Sequence, residues 1–186
     1  MSLGSAIRST DYDEDLILVE RFLAGDPEAF PTLYARYYDR VFSIARGILI
    51  DADEAEDAVQ EVFTLIYRNL SRFDRRSRLS TWLFRIAVNR SIQQSRSARY
   101  RNRWTTLTEA DEQADESAVP ILPDSRITFA MEHLGASDRA ILTLFYWEDL
   151  SLQEIADSLG CGVNAAKTRL FRARERFRRY FEDAPE

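Results

Sequence analysis

The sequence is short of the residues on which many small catalytic and secreted domains depend. Its single cysteine, Cys161, rules out an internal disulfide framework, and together with the single histidine, His133, it leaves no Cys/His set for zinc. There are six glycines and five prolines, and no glycine-rich phosphate loop is present. No apolar run approaches the ~20 residues needed to cross a bilayer, and the opening MSLGSAIRST has no apolar signal core. Lys167 is the only lysine, a compositional bias toward arginine. With one histidine at an expected helix end, no nucleophile and base pair can be assembled, so catalysis is not expected. Nor is any cofactor or metal. The expected location is the cytoplasm, with no membrane insertion of its own.

What is present is enough apolar material for real cores: 45% of 186 residues, which fits one ordinary domain or two small helical ones. The formal net charge of -6 is the wrong sign for a nucleic-acid binder, but a phosphate meets local charge rather than the chain average. The signs are segregated. Residues 11–61 are acid-rich, residues 72–103 carry arginines against the single acid Asp74, and residues 163–181 are basic again.

The stretch from Asp53 to Asn89 concentrates this contrast. Ala55, Ala58, Val59, Val62, Phe63, Ile66 and Leu70 recur at three- and four-residue steps, which predicts an amphipathic helix. Asp53, Asp57, Gln60, Glu61 and Thr64 follow the same spacing on its other face, forming an acidic, hydrogen-bonding ridge. The sign then inverts: Arg72, Arg75, Arg76, Arg78 and Arg85 stand among Phe73, Trp82 and Phe84. Guanidinium groups attract phosphates and aromatic faces accept unstacked bases, a mixture suited to single-stranded nucleic acid. Taken singly, each half has an ordinary explanation, a solvated acidic face and an aromatic core.

Along the chain, residues 1–10 are expected to be disordered, and Leu16, Val19, Phe22 and Leu23 predict a short helix from Asp13 to Ala24, stopped by Gly25. Asp26 and Pro27 read as the cap and first position of a second helix carrying Phe30, Leu33, Tyr34, Tyr37, Val41, Ile44, Ala45 and Ile48 inward, with Pro31 awkward just past its first turn. Asp51 or Asp53 caps the third helix. Arg72 to Ser80 reads as a loop, with Ser80 capping a fourth helix that runs to Arg103. Residues 104–126 are acidic, hold Pro120 and Pro123 and show no apolar period, so they read as a flexible linker.

The remaining residues, 127–182, read as a second small domain. A helix through Ile127, Ala130, Met131 and Leu134 ends at Gly135, and Ser137 caps another containing Ile141, Leu142, Leu144 and Phe145. Ser151 with Glu154 is a capping box, Gly160 a helix stop, and Cys161 to Val163 a turn before a last helix from Asn164 to Tyr180. This is the layout of a helix-turn-helix. Val163, Ala166, Leu170, Ala173 and Phe177 form its buried line; Asn164, Lys167, Thr168, Phe171 and Arg172 its outward face, followed by Arg174, Arg176, Arg178 and Arg179. Residues near the start of such a helix reach base edges, and the later cations meet phosphates.

The wording Asp57-Ala58-Val59-Gln60-Glu61-Val62-Phe63 followed by Thr81-Trp82-Leu83-Phe84-Arg85-Ile86-Ala87-Val88-Asn89 closely resembles the core-binding and promoter-melting segments of bacterial sigma factors of the extracytoplasmic-function (ECF) type. Leu150 to Ala156 and Lys167 to Arg174 resemble the upstream-element reader of the same family. The resemblance spans residues 12–181. It implies an all-α fold of two small helical domains, at 11–103 and 127–182, joined by the acidic linker. It also implies a factor that binds RNA polymerase core, through the largest-subunit coiled-coil and the flap, brings it to promoter DNA and helps open the duplex.

Carried over residue by residue, the resemblance gives core binding to Asp53, Asp57, Gln60, Glu61 and Thr64. It gives the minus-ten element to Arg75, Arg76, Ser77, Arg78, Leu79, Ser80, Trp82, Arg85 and Asn89, and the minus-thirty-five element to Asn164, Lys167, Thr168, Phe171 and Arg172. An anti-sigma partner is expected to restrain the factor. The alternative from another class is a conventional helix-turn-helix regulator, which explains Ser151 to Tyr180 but leaves the acidic ridge and the arginine-aromatic stretch without a role.

Overall fold

The computed structural model describes residues 3–105 and 125–185, and side chains within 13–97 and 125–185. Among these residues the chain is all-helical. The first half holds α1 (Leu3–Leu23), α2 (Ala29–Leu49), α3 (Ala52–Asn69), a 3-10 turn at Leu70–Arg72 and α4 (Leu79–Thr105). The second holds α5 (Ser125–His133), α6 (Ala136–Tyr146), α7 (Leu152–Leu159) and α8 (Val163–Glu182). No helix of the described residues is long and apolar enough to cross a membrane. The acidic linker expected at 104–126 falls almost wholly outside the described residues.

Helix starts follow local chemistry, with several corrections. Asp51, not Asp53, is the cap of α3, its Oδ1 accepting the Glu54 backbone N–H at 2.7 Å. Asp26 takes the Glu28 N–H in an Asx turn, and α2 begins later, at Ala29. The delay resolves the difficulty of Pro31, because it puts that residue in the first turn, where a missing N–H costs no intrahelical bond. Ser80 is not a cap: α4 starts at Leu79, drawn in by the complete burial of that side chain. Ser137 is not one either. Gly135, at φ -71° and ψ 149°, is the N-cap of α6, so it opens the next helix rather than closing the last. Helix α1 begins at Leu3, where disorder was expected; once a packed segment nucleates a helix, extension through weak formers is cheap.

The first core packs Leu33, Tyr37, Val41, Ile44 and Ile48 of α2 against Ala58, Val59, Val62 and Ile66 of α3 and Leu79, Leu83, Phe84 and Ala87 of α4. Helix α1 closes it with Leu18 and Val19, while Leu23 is half exposed. A polar knot fastens that helix: buried Asp15 accepts hydrogen bonds from the Tyr37 hydroxyl and from Arg36. The second core joins Met131, Leu134, Ile141, Leu144, Ile155, Leu170 and Ala173.

The two cores are not separate. Their buried apolar residues form one contiguous cluster, joined where α2 meets α6 and where α4 meets α7.

Candidate nucleic-acid and partner interfaces

The acidic ridge lies where the helical spacing puts it. Asp53, Asp57, Gln60, Glu61 and Thr64 are all exposed on one side of α3, opposite the buried stripe. Two of them have local partners: Glu61 is ion-paired with Arg90 of α4, and the Thr64 hydroxyl donates to the Gln60 carbonyl at 2.8 Å. Asp53, Asp57 and Gln60 therefore present the most available polar groups of the ridge.

The arginine-aromatic stretch divides. Arg76, Ser77, Arg78, Trp82 and Arg85 line one cleft of about 1060 Å³, with Arg72 and Thr81 beside them. Trp82 is half-buried against Phe73, ring centroids 5.6 Å apart, so only part of the indole faces the cleft. Arg75 turns away on a left-handed backbone, φ 60°, and pairs with Glu20 of α1 at 3.0 Å. Ser80 is half-buried, and Asn89 is exposed one turn beyond Arg85. Leu79 departs from its expected role. With no exposed surface it is a core anchor for the start of α4, and its side chain offers nothing to a strand in this arrangement.

In the second domain the capping box is complete: Ser151 Oγ accepts from the Glu154 N–H, and Glu154 accepts from the Ser151 N–H at 3.0 Å. Gly160 then stops α7 in the left-handed region at φ 61°. Gly162 caps α8, whose first turns expose Asn164, Lys167, Thr168, Phe171 and Arg172. Phe171 is 64% exposed, a large apolar ring held in water at the middle of that face. Val163, expected inside, is 37% exposed because it precedes the stripe of Ala166, Leu170 and Ala173 that meets α6 and α7. The later cations are only partly available: Arg174 lies over the Phe145 ring at 4.6 Å, Arg176 pairs with Asp138 at 2.6 Å, and Arg178 pairs with Glu175.

Models of Sigma-70 region 2 and of Sigma-70 region 4 match residues 33–101 and 125–177. Over 179 residues, 89% of this chain and 95% of the relative, the sequence is 33% identical to the ECF RNA polymerase sigma factor SigW of Bacillus subtilis. The chain belongs to the ECF sigma factors of the sigma-70 family. It is also 33% identical over 174 residues to the ECF RNA polymerase sigma-E factor of Escherichia coli, covering 87% of this chain and 91% of that one.

Among solved structures, CnrH in complex with the cytosolic domain of CnrY superposes with a TM-score of 0.67 at 25% identity, over 92% of this chain and 99% of CnrH. RpoE of Bartonella quintana, in complex with the anti-sigma factor NepR, gives a TM-score of 0.64 at 22% identity, over 82% and 96%, a likeness of fold. As a sigma factor the protein is a non-enzymatic initiation factor. The region 2 match falls within α2–α4 and the region 4 match within α5–α8, and the two halves of the structure are called domain 2 and domain 4 after them.

Several structural residues escaped the sequence reading. Arg139, on an otherwise apolar helix, is buried, donating from Nε to the Ile48 carbonyl at 2.6 Å and from a terminal nitrogen to the Leu134 carbonyl at 2.8 Å. Gly47, in the last turn of α2, faces Thr143. Arg40 pairs with Glu148 at 2.8 Å. An arginine inside the apolar run of residues 136–146 and a glycine inside a helix were the available signals. Domain 4 also carries an apolar groove of about 540 Å³ lined by Ile127, Met131, Leu142, Tyr146, Trp147 and Phe177.

Proposed function

We propose that this sigma factor acts in the cytoplasm by docking the α3 ridge on the basic coiled-coil of the largest polymerase subunit, with Asp53, Asp57, Gln60, Glu61 and Thr64 as the contact set. Charge complementarity there sets encounter rate and register, while apolar neighbours supply much of the affinity. The groove on domain 4 has an apolar floor edged by Arg174, Glu175 and Arg178, which suits it to the flap as a second hold of mainly apolar character.

Single-stranded minus-ten DNA is received by Arg76, Ser77, Arg78, Ser80, Trp82, Arg85 and Asn89, with Arg75 at the margin of the path and Leu79 holding the helix start. The observation that carries this is that Arg76, Arg78, Arg85 and Trp82 stand together on the domain 2 wall of one cleft, whose other wall is α7 and the turn before α8: several cations and one partly open aromatic face are what a strand with an unstacked base requires. Preferential binding to the opened strand shifts the duplex toward melting without catalysis. At the minus-thirty-five element Asn164, Lys167, Thr168, Phe171 and Arg172 enter the major groove. A partner of anti-sigma type restrains the factor, by likeness to CnrH, which is complexed with the cytosolic domain of CnrY.

The test is transcription by purified core RNA polymerase on a fragmented library of the source genome, with and without this chain. New, discrete start sites sharing two upstream elements are expected. Absence of any chain-dependent start, together with failure to bind core, would leave a DNA-binding regulator in its place.

A further inference from the structure

We propose that Glu20 of α1 sets the base preference of the factor at the minus-ten element, as a positioning residue that acts through Arg75. This rests on the promoter-binding reading above. Residues 74–78 form the short connection between the 3-10 turn and α4, and both ends are anchored: the flanking residues Phe73 and Leu79 are buried in the first core. Inside the connection, Asp74 Oδ1 accepts the Arg76 backbone N–H at 3.1 Å, an Asx turn. Arg75 stands between them at φ 60°, a conformation that a residue with a Cβ seldom adopts unless its surroundings hold it there. Its guanidinium donates to Glu20 Oε1 at 3.0 Å, from a residue 55 positions away in the chain.

Glu20 has a rigid base. Just before it, Leu18 and Val19 of α1 enter the core, and buried Asp15 accepts from the Tyr37 hydroxyl and from Arg36. Just after it, Phe22 packs edge-on to Tyr67 of α3, ring centroids 5.3 Å apart. The carboxylate therefore stands at a fixed place beside the loop. With Arg75 drawn outward to α1, the residues left lining the cleft are Arg76, Ser77 and Arg78, next to Trp82 and Arg85. One left-handed residue changes the local course of the backbone, so a return of Arg75 to the ordinary regions would carry Ser77 and its neighbours out of place. Phosphates are met by arginines on long, adaptable stems, whereas a base edge must be met at hydrogen-bond distance. Glu20 thus governs discrimination among bases more than strength of binding. It precedes residues 33–101, the segment matched by Sigma-70 region 2, so the loop is steered from outside that unit.

Glu20→Arg is the variant that tests this. It reverses the charge facing Arg75 and alters no residue assigned to DNA or to core. Adding Arg75→Glu rebuilds an opposite pair in the reverse order. Both partners are largely exposed, and an exposed ion pair contributes little to folding, so the variants keep the fold and the effect falls on the loop. Two readings are taken on the full chain. Backbone NMR order parameters of residues 74–78 report on the free protein without polymerase. Transcription with core polymerase, from a promoter mapped with core and from its single-base variants through both elements, reports on preference.

In the parent chain the loop should give order parameters near the rigid value of about 0.85, and Glu20→Arg should lower them toward about 0.6. The same variant should reduce preference at one minus-ten position about two- to fivefold, the range an exposed pair can supply, and leave preference at the minus-thirty-five element unchanged. The exchanged pair should restore both readings. Unchanged order parameters in Glu20→Arg overturn the proposal, as does a uniform fall on every template or failure of the exchanged pair to recover preference. A parent chain that yields no core-dependent start overturns the sigma-factor reading and the base preference with it, while the order parameters still judge the hold of Glu20 on Arg75.

Discussion

Replacing Arg139 by methionine removes one charge and keeps most of the volume, and so isolates what the guanidinium does. The side chain is 5% exposed and makes two short bonds, to Ile48 O at 2.6 Å and Leu134 O at 2.8 Å. Charge-assisted bonds of this kind contribute about 1.5–3 kcal/mol each, and a carbonyl left unsatisfied costs about 1–3 kcal/mol. Offsetting this, the substitution spares the desolvation of a buried cation, several kcal/mol on the same scale, and water can enter a loosened seam. The net expectation is a destabilisation of about 2–4 kcal/mol. Arg139→Lys should recover less than half of it, because one ammonium on a flexible stem cannot serve two carbonyls in the fork geometry. Urea unfolding of the full chain, followed by far-UV circular dichroism, measures both. A loss below about 0.5 kcal/mol, the range of an ordinary surface substitution, would falsify the claim that this cation joins α2 to α5 and α6.

Other outcomes follow from single sites. Ser151→Ala deletes half of a complete capping box and should cost about 1 kcal/mol in the same unfolding assay, with Ser151→Asp near neutral. Asp57→Arg, on an exposed position of α3, should leave stability within about 0.5 kcal/mol while losing competition for core polymerase; a variant that competes as well as the parent removes Asp57 from the contact set. Arg172→Ala should weaken upstream-element binding by about 1–3 kcal/mol with loss of preference at one base position, and uniform weakening on all sequences would make it a phosphate contact. Burial, reinforced by the Asp15 carboxylate, pushes the Tyr37 phenol above its ordinary value. Its contribution is fully present below the unfolded value of about 10 and is lost as pH rises beyond it, so Tyr37→Phe should flatten the alkaline limb of stability between pH 9 and 11.

Helix existence, the cap at Ser151, the choice of Asp51 or Asp53 at the head of α3, the stop at Gly160 and the outward faces of α3 and α8 are local properties, set by 3.6-residue periodicity and by hydrogen bonds spanning three or four residues. The sequence by itself determined these, and with them the family wording. Where the reading missed, a distant partner had decided. Ser80 is a good cap by type, but the pull of the core on Leu79 moved the helix start past it. Ser137 lost its place to Gly135, whose extended backbone opens α6. Arg174 and Arg176 look like free cations in sequence, yet Phe145, Tyr146 and Asp138 hold them from another helix.

Above all, the relation of the two domains was illegible. It depends on a glycine meeting a threonine, an arginine reaching a carbonyl and a carboxylate reaching an arginine, across separations of about ninety residues and more in the chain. Periodicity carries no record of such pairs. They exist only once two helices lie side by side, and they set Arg78 and Arg85 against α7 rather than open solvent.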